Sequence, residues 1–198
     1  MFSDPRPRNT RRAEKEGVGV IISNDEKALN FLRQTHKENM LAVGGIPKEL
    51  GFFDLVKSIM PDASWNVFMA TIDGKPIAGL LLFYFNKTVE YFTPAVLASH
   101  RRTQALALVI FEAMKDAMKK GYKNWNWGGT WLSQDGVYEY KKRWGTSVYP
   151  YFYYTHIFNK DILNQNNGYS KFVFTLKNIG FLSCISLIII FLYKIWNL

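Results

Sequence analysis

Cysteine is almost missing from this chain of 198 residues, where Cys184 stands alone. A single cysteine excludes an internal disulfide and fits a reducing compartment. It sits within an apolar run, which suits a buried or lipid-facing thiol better than a catalytic one. Histidine is scarce as well, and three scattered residues with one cysteine make no ligand set for a metal. Neither a Walker phosphate loop nor a Rossmann glycine fingerprint is present. Acidic residues are in deficit, 16 against 25 Lys and Arg, for a net charge of +9. That balance favours anionic partners: nucleic acid, nucleotide sugars, phospholipid headgroups or lipid-linked phosphates. An apolar leader is lacking too. The first 16 residues are polar and arginine-rich, so no signal peptide is expected.

What is present is apolar and aromatic. Hydrophobic residues make up 48% of the chain and aromatics 16%, enough for a sizeable core in one domain with appendages. Residues 1–16 read as a basic arm that turns helical near Arg11. Residues 17–23 are a short β run. Ser23 with Glu26 three positions on reads as a capping box for a helix bearing Leu29, Phe31, Leu32 and His36. A Gly44-Gly45-Ile46-Pro47 break precedes a helix near Lys48–Met60. Strands follow at 65–72, 76–85 and 89–96, the first two joined by a hairpin turn at Asp73-Gly74-Lys75. A long apolar helix is expected over Arg102–Lys120, closed by Gly121. Then come a strand at 123–127, a helix at 136–144 and a tyrosine-rich strand at 147–158. This alternation predicts an α+β or α/β domain with a mixed sheet. Residues 159–177 read as a polar linker. Residues 178–193 carry no charge and lead to Lys194 and Trp196. With a snorkelling lysine and an interfacial tryptophan, 178–198 reaches the length of a spanning helix, about 20 residues. A buried or in-plane helix is the alternative. An anchor there would leave the folded domain on the cytoplasmic side.

Residues 121–145, GYKNWNWGGTWLSQDGVYEYKKRWG, are the most informative segment. An aromatic strand runs into Gly128-Gly129, a polar loop follows, and a helix opens near Gly136. Adjacent glycines let backbone approach a ligand, and a helix start offers free N–H groups. Asn-Trp-Asn-Trp-Gly-Gly followed by Gly136, Val137, Tyr138, Tyr140, Lys141, Trp144 and Gly145 resembles the FemAB-type (BioF2-like) acyltransferases of the GNAT superfamily. That family shows a strand ending in a Gly pair, then Gly-Leu-Tyr-x-Phe-Lys-x-x-Phe-Gly. Arg8, Asn9, Arg12, Ala13, Glu14, Lys15 and Gly17 resemble the segment before the family's second GNAT-like domain. The resemblance covers roughly residues 8–158 and implies a GNAT-like domain at 17–158, its sheet mostly antiparallel and flanked by helices. It also implies that the family's first domain, which supplies much of the acceptor pocket, is absent. Peptidoglycan-bridge members use aminoacyl-tRNA to extend a lipid-linked or nucleotide-linked muropeptide, and other members belong to envelope polysaccharide pathways.

The resemblance places Lys141 at the developing oxyanion or a nearby phosphate, with Tyr140 beside it. Gly128, Gly129, Asp135 and Tyr138 would line the substrate site. A solvated surface lysine is the alternative for Lys141. GNAT enzymes that use acetyl-CoA cradle its pyrophosphate in a glycine loop before the long helix. Here that junction reads Ser99-His100-Arg101-Arg102-Thr103-Gln104-Ala105, without glycine. Ordinary acetyl-CoA chemistry is therefore disfavoured, and His100, Arg101 and Arg102 could bind a tRNA 3′ end or a lipid phosphate. They could equally be a polar helix start. Candidate bases are His100, Glu90, Asp135 and His36, none within a motif, while His156 reads as structural. The expected activity is acyl or aminoacyl transfer to an amine in envelope assembly. No cofactor is held permanently, and aminoacyl-tRNA or an acyl thioester serves as donor. Expected partners are tRNA, a nucleotide- or lipid-linked sugar, the membrane, and a separate protein supplying the first domain. The competing functions are a catalytically incomplete GNAT-like module that binds a partner or anionic lipid, and a nucleic-acid-binding protein.

Overall fold

A computed structural model describes residues 2–131, 133–150 and 152. Residues 1–148 form one compact unit, and the rest of the chain forms a second. The expected linker at 159–177, the segment 178–198, His156, and 153–158 of the expected last strand lie outside the described residues.

The first unit is built on one mixed sheet of five strands in chain order. These are β1 (Gly19–Ser23), β2 (Trp65–Ile72), β3 (Lys75–Phe85), β4 (Thr88–Val96) and β5 (Asn124–Asn126). β1 to β4 pair antiparallel, whereas β5 lies parallel to β4. The helices are α1 (Arg6–Lys15), α2 (Glu26–Ala42), α3 (Leu50–Ile59), α4 (Ala105–Lys119) and α5 (Asp135–Lys142). This is the GNAT-like α/β arrangement expected from the order of elements. Both faces of the sheet are covered, as alternation along each strand requires. Leu80, Leu82, Phe68 and Ala78 meet Leu108, Val109, Ile110 and Ala113 of α4 and Ala13 of α1. On the other face Trp65, Val67, Leu81 and Ala95 meet Leu29 and Leu32 of α2 and Phe53 and Val56 of α3.

Local chemistry sets the boundaries. Ile72 faces Lys75 across the two-residue turn Asp73-Gly74, whose φ angles are 50° and 72°. Two positive φ values mark the hairpin turn whose twist matches the flanking strands, and glycine takes the second without penalty. Gly121 closes α4 as expected, its N–H bonded to the Met118 carbonyl.

Four expectations need correction. The basic segment is helical from Arg6, not from near Arg11, and Asn9 Nδ2 donates to Gln104 Oε1 at 2.8 Å. The cap of α2 is Asp25, not Ser23. Asp25 Oδ1 accepts from the Ala28 N–H at 2.7 Å, while Ser23 ends β1 and accepts from the Asp25 N–H at 3.0 Å. A carboxylate is the stronger acceptor for an unpaired helix amide. The long helix starts at Ala105, because residues 98–103 form a tight 3₁₀ turn and Gln104 adopts φ 60°. Thr103 Oγ1 donates to the His100 carbonyl and accepts from the Ala105 N–H, which fixes that break. Residues 146–150 and 152 carry no strand.

Asp25 also fixes a stability prediction. Its bond from the Ala28 N–H holds the carboxyl below the usual carboxylate range. Asp25→Ala should cost ~1 kcal/mol, or about 3 °C in Tm, and Ser23→Ala much less. The difference should be present near neutral pH and shrink as the pH falls through the lowered pKa of Asp25. Thermal unfolding of both variants at pH 7 and pH 3 checks this, and an equal loss in both would restore Ser23 as the cap.

Candidate active site

The site grows from the place where β5 stops. Its three residues pair only with Thr88, Val89 and Glu90, whereas β4 runs on to Val96. Among the described residues no strand continues along that side of β4. A β-bulge sits at the same point on the other side: Tyr91 pairs with Leu82 and Thr93 with Leu81, so β4 carries one extra residue and bends. At the far end the Asn39 side chain closes the edge, bonding both the N–H and the carbonyl of Val96 at 3.1 and 2.9 Å.

Glu90 stands at this divergence on the α2 and α3 side of the sheet, since Val89 and Tyr91 join the α4 side. Asn126, its neighbour in register, donates from Nδ2 to Glu90 Oε2 at 2.6 Å. The same amide accepts the Gly128 N–H on Oδ1 at 3.0 Å. The two contacts need opposite ends of the amide and so fix its orientation. Burial pushes the Glu90 carboxyl up to about 7, against the Asn126 hydrogen bond and the Lys141 charge, which both pull it down. The side chain is only part-buried, so it remains accessible. A part-buried carboxyl raised toward neutrality, beside a stretch of β4 that no described strand pairs, has the chemistry a general base needs.

Lys141 forms the second half of the site. Its Nζ donates to the Gly128 carbonyl at 3.1 Å, the Gly129 carbonyl at 3.0 Å and Thr130 Oγ1 at 2.9 Å. An ammonium has three N–H bonds, and all three are spent on the loop. Donation to an oxyanion, the role given by resemblance, would require giving up one of them. Gly128 has φ 66°, and a Cβ there would meet nothing closer than Glu90 Oε1 at 3.7 Å. Glycine is thus needed for conformation rather than for room.

The remaining expected residues do not gather here. Tyr140 packs under the Arg6 guanidinium, 4.6 Å from its ring centre, and against Trp127 on the α4 side. Burial pushes its hydroxyl up, with Arg6 opposing. Asp135 is exposed at the first turn of α5, and Tyr138 is exposed beside Lys142. His100 bonds Ser99 Oγ at 2.9 Å, and Arg101 and Arg102 are exposed in the 3₁₀ turn after β4. Six residue steps separate Glu90 from Val96, roughly 20 Å, so Arg101 and Arg102 lie toward the other end of β4. His36 is buried and its Nε2 already accepts the Lys48 N–H at 3.3 Å. Burial, with the Lys48 charge, lowers it to about 4, so it is neutral and unsuited as the base. Sequence reasoning passed over Asn126, Asn39 and Lys48. The Lys48 ammonium lies 4.8 Å from the ring centre of Phe92, and burial lowers it to about 8. Among the described residues no group of His, Cys, Asp or Glu is placed to hold a metal ion.

The model of the acetyltransferase (GNAT) domain matches residues 7–142. The chain belongs to this family. No curated protein matches it. Among solved structures, FemX superposes with a TM-score of 0.67 at 16% identity, over 74% of this chain and 54% of FemX. The chain thus spans about half the length of FemX. The aminoglycoside acetyltransferase meta-AAC0020, from an uncultured soil metagenomic sample and in complex with sisomicin, gives 0.53 at 13% identity, covering 72% of this chain and 99% of that one. Aminoglycoside N-acetyltransferase AAC(6')-Iy in complex with CoA gives 0.52 at 16%, covering 72% and 95%. At these identities the likeness concerns the fold.

Asn126 yields a direct test of the electrostatics. Its hydrogen bond favours the ionised Glu90, so Asn126→Ala should move the Glu90 titration above about 7. The side-chain carboxyl carbon of Glu90, followed by NMR between pH 4 and 9, reads the midpoint. An unchanged or lower midpoint would show that the 2.6 Å contact does not operate in solution.

Proposed function

We propose that this GNAT-fold chain transfers an acyl or aminoacyl group to an amine, with Glu90 as the general base. The family and its acetyltransferase fold relatives support acyl transfer in general. The observation that carries the finer reading is the Glu90 carboxyl, raised to about 7 beside a stretch of β4 that no described strand pairs. In the reaction the Glu90 carboxylate takes a proton from the acceptor amine, and the amine nitrogen bonds to the donor's acyl carbon. The bond from that carbon to the leaving oxygen or sulfur then breaks, and the proton held by Glu90 passes to the leaving group, which restores the carboxylate. Backbone N–H groups on the open edge of β4 offer the developing oxyanion its donors. Lys141 holds the Gly128–Thr130 loop in place and keeps a positive charge near Glu90.

On this reading the donor lies extended along β4, its acyl end at Glu90 and its phosphates toward His100, Arg101 and Arg102. Aminoacyl-tRNA and an acyl thioester both have that polarity. The likeness to FemX supports a place in peptidoglycan or envelope-polysaccharide assembly, with a nucleotide- or lipid-linked sugar as acceptor. FemX also carries chain with no counterpart here, and a partner protein supplying it belongs to the same reading. Work at the cytoplasmic face of the membrane would suit such an acceptor. Among the described residues no helix is long and apolar enough to cross a membrane. The candidate anchor at 178–198 lies outside them, and the uncharged run before Lys194 and Trp196 supports it.

Two experiments test this reading. Label transfer from charged tRNA, and separately from acetyl-CoA, to muropeptide or amino-sugar acceptors should rise with pH through about 7, as the carboxylate form accumulates. Glu90→Gln should lower the rate by about two to four orders of magnitude and remove that ascending limb. Retention of the limb in the variant would rule out Glu90 as the base. The same raised pKa makes the folded state bind this proton more tightly than the unfolded chain. Its contribution to stability therefore falls as pH rises from the ordinary carboxylate range through about 7. For the tail, deletion of 178–198 should move the protein from the membrane pellet to the supernatant. A full-length protein already in the supernatant without detergent would remove the anchor.

A further inference from the structure

We propose that Arg6 is a positioning residue for the active site, acting through α5 on Lys141 and the Gly128–Thr130 loop; the inference rests on the acyl-transfer reading only for its kinetic consequence. α5 contributes no fully buried residue of its own, yet it carries the lysine that fastens the loop beside Glu90. Its anchorage comes from the other end of the chain. Phe2 meets Trp144 edge-to-face at 5.2 Å and Phe111 of α4 at 6.1 Å. The Ser3 N–H donates to the Arg143 carbonyl, just past the end of α5, at 3.0 Å. Arg6 completes the clasp, its guanidinium 4.6 Å from the Tyr140 ring centre and 5.7 Å from that of Trp144.

The nature of the Arg6 contact points to position rather than bulk stability. Arg6 is only 8% exposed, and its Nε has no acceptor. None of the ion pairs among the described residues involves it. A buried cation without a carboxylate is held here by the two ring faces and by the Tyr140 hydroxyl, which its hydrogen bond and charge act on, and the ring contact depends on a flat group lying over them. Tyr140 is the residue next to Lys141, so whatever fixes the Tyr140 ring fixes the helix from which Lys141 reaches the loop. Asn126 then passes the constraint from Gly128 to Glu90. The path runs Arg6, Tyr140, Lys141, Gly128, Asn126, Glu90, with a contact in the structure or a peptide bond at every step.

The test is amide hydrogen exchange on the full chain for wild type, Arg6→Gln, Arg6→Lys and Phe2→Ala. Arg6→Gln should speed exchange across Gly128–Lys142 by about tenfold while leaving Val67–Ala70 of the central strand unchanged. Arg6→Lys, which keeps charge without a flat face, should fall between. Phe2→Ala, at the other end of the clasp, should give the same regional pattern and stands in if Arg6→Gln does not fold. Unchanged exchange at Gly128–Lys142, or a rise spread equally over Val67–Ala70, would overturn the proposal. Under the acyl-transfer reading, Arg6→Gln should also lower kcat with little change in KM and keep the ascending pH limb. A wild-type protein without transfer activity would defeat the functional reading, and the exchange pattern would still decide the role of Arg6.

Discussion

The bridge made by the Asn126 amide is the contact on which the site depends. One end holds the Glu90 carboxylate at 2.6 Å and the other takes the Gly128 N–H at 3.0 Å. Both are possible only because β5 lies parallel to β4 with Glu90 opposite Asn126. Immediately past that pair the strands part, and Gly128 turns the chain away with a positive φ. The carboxyl therefore sits where the paired part of the two strands ends, beside a stretch of β4 that no described strand pairs. Burial raises its proton affinity. The hydrogen bond and the Lys141 charge limit the rise, so the group stays near neutrality instead of becoming a permanently protonated acid.

The sheet converts this local arrangement into a rigid one. Trp125 and Trp127, on the opposite face from Asn126, pack with Tyr91 into the α4 core, and Trp127 lies 4.8 Å from Tyr91. Side chains alternate along β5, so the aromatic face that anchors it guarantees that Asn126 faces the cleft. The α2 and α3 side offers Phe92 in ring contact with both Phe52 and Phe83, with Lys48 over Phe92. A carboxyl of raised pKa, an aromatic floor and a second cation thus share one face of β4.

Local grammar was readable in the sequence where its partners are local. The Asp73-Gly74 turn, the Gly121 stop and the succession of strands follow from neighbouring residues. The α2 cap was misplaced by two residues, because Ser23 and Asp25 are both good caps and strand pairing of Ser23 with Val67 decides between them. The site was less legible. Glu90 was visible only as one carboxylate among several, since Asn126, 36 residues away, distinguishes it. Lys141 stood out through its motif, but the motif says nothing of the three oxygens that hold its ammonium. Arg6 read as one charge in a basic arm, whereas its partners on α5 make it a buried residue.

The missing glycine before α4 has a structural counterpart that bears on donor choice. Gln104 takes the left-handed conformation usually reserved for glycine, and its side chain is tied to Asn9 and to the Arg101 carbonyl. Thr103 Oγ1 occupies the Ala105 N–H. The amide that would open an anion cradle at this helix start is thus already satisfied by the chain itself. Charge at this helix start comes instead from the side chains of Arg101 and Arg102, which are exposed. Amide cradles fit one pyrophosphate closely, whereas arginine side chains accept phosphates at varied spacing. This helix start therefore meets an anion with exposed guanidinium groups and not with the Ala105 amide.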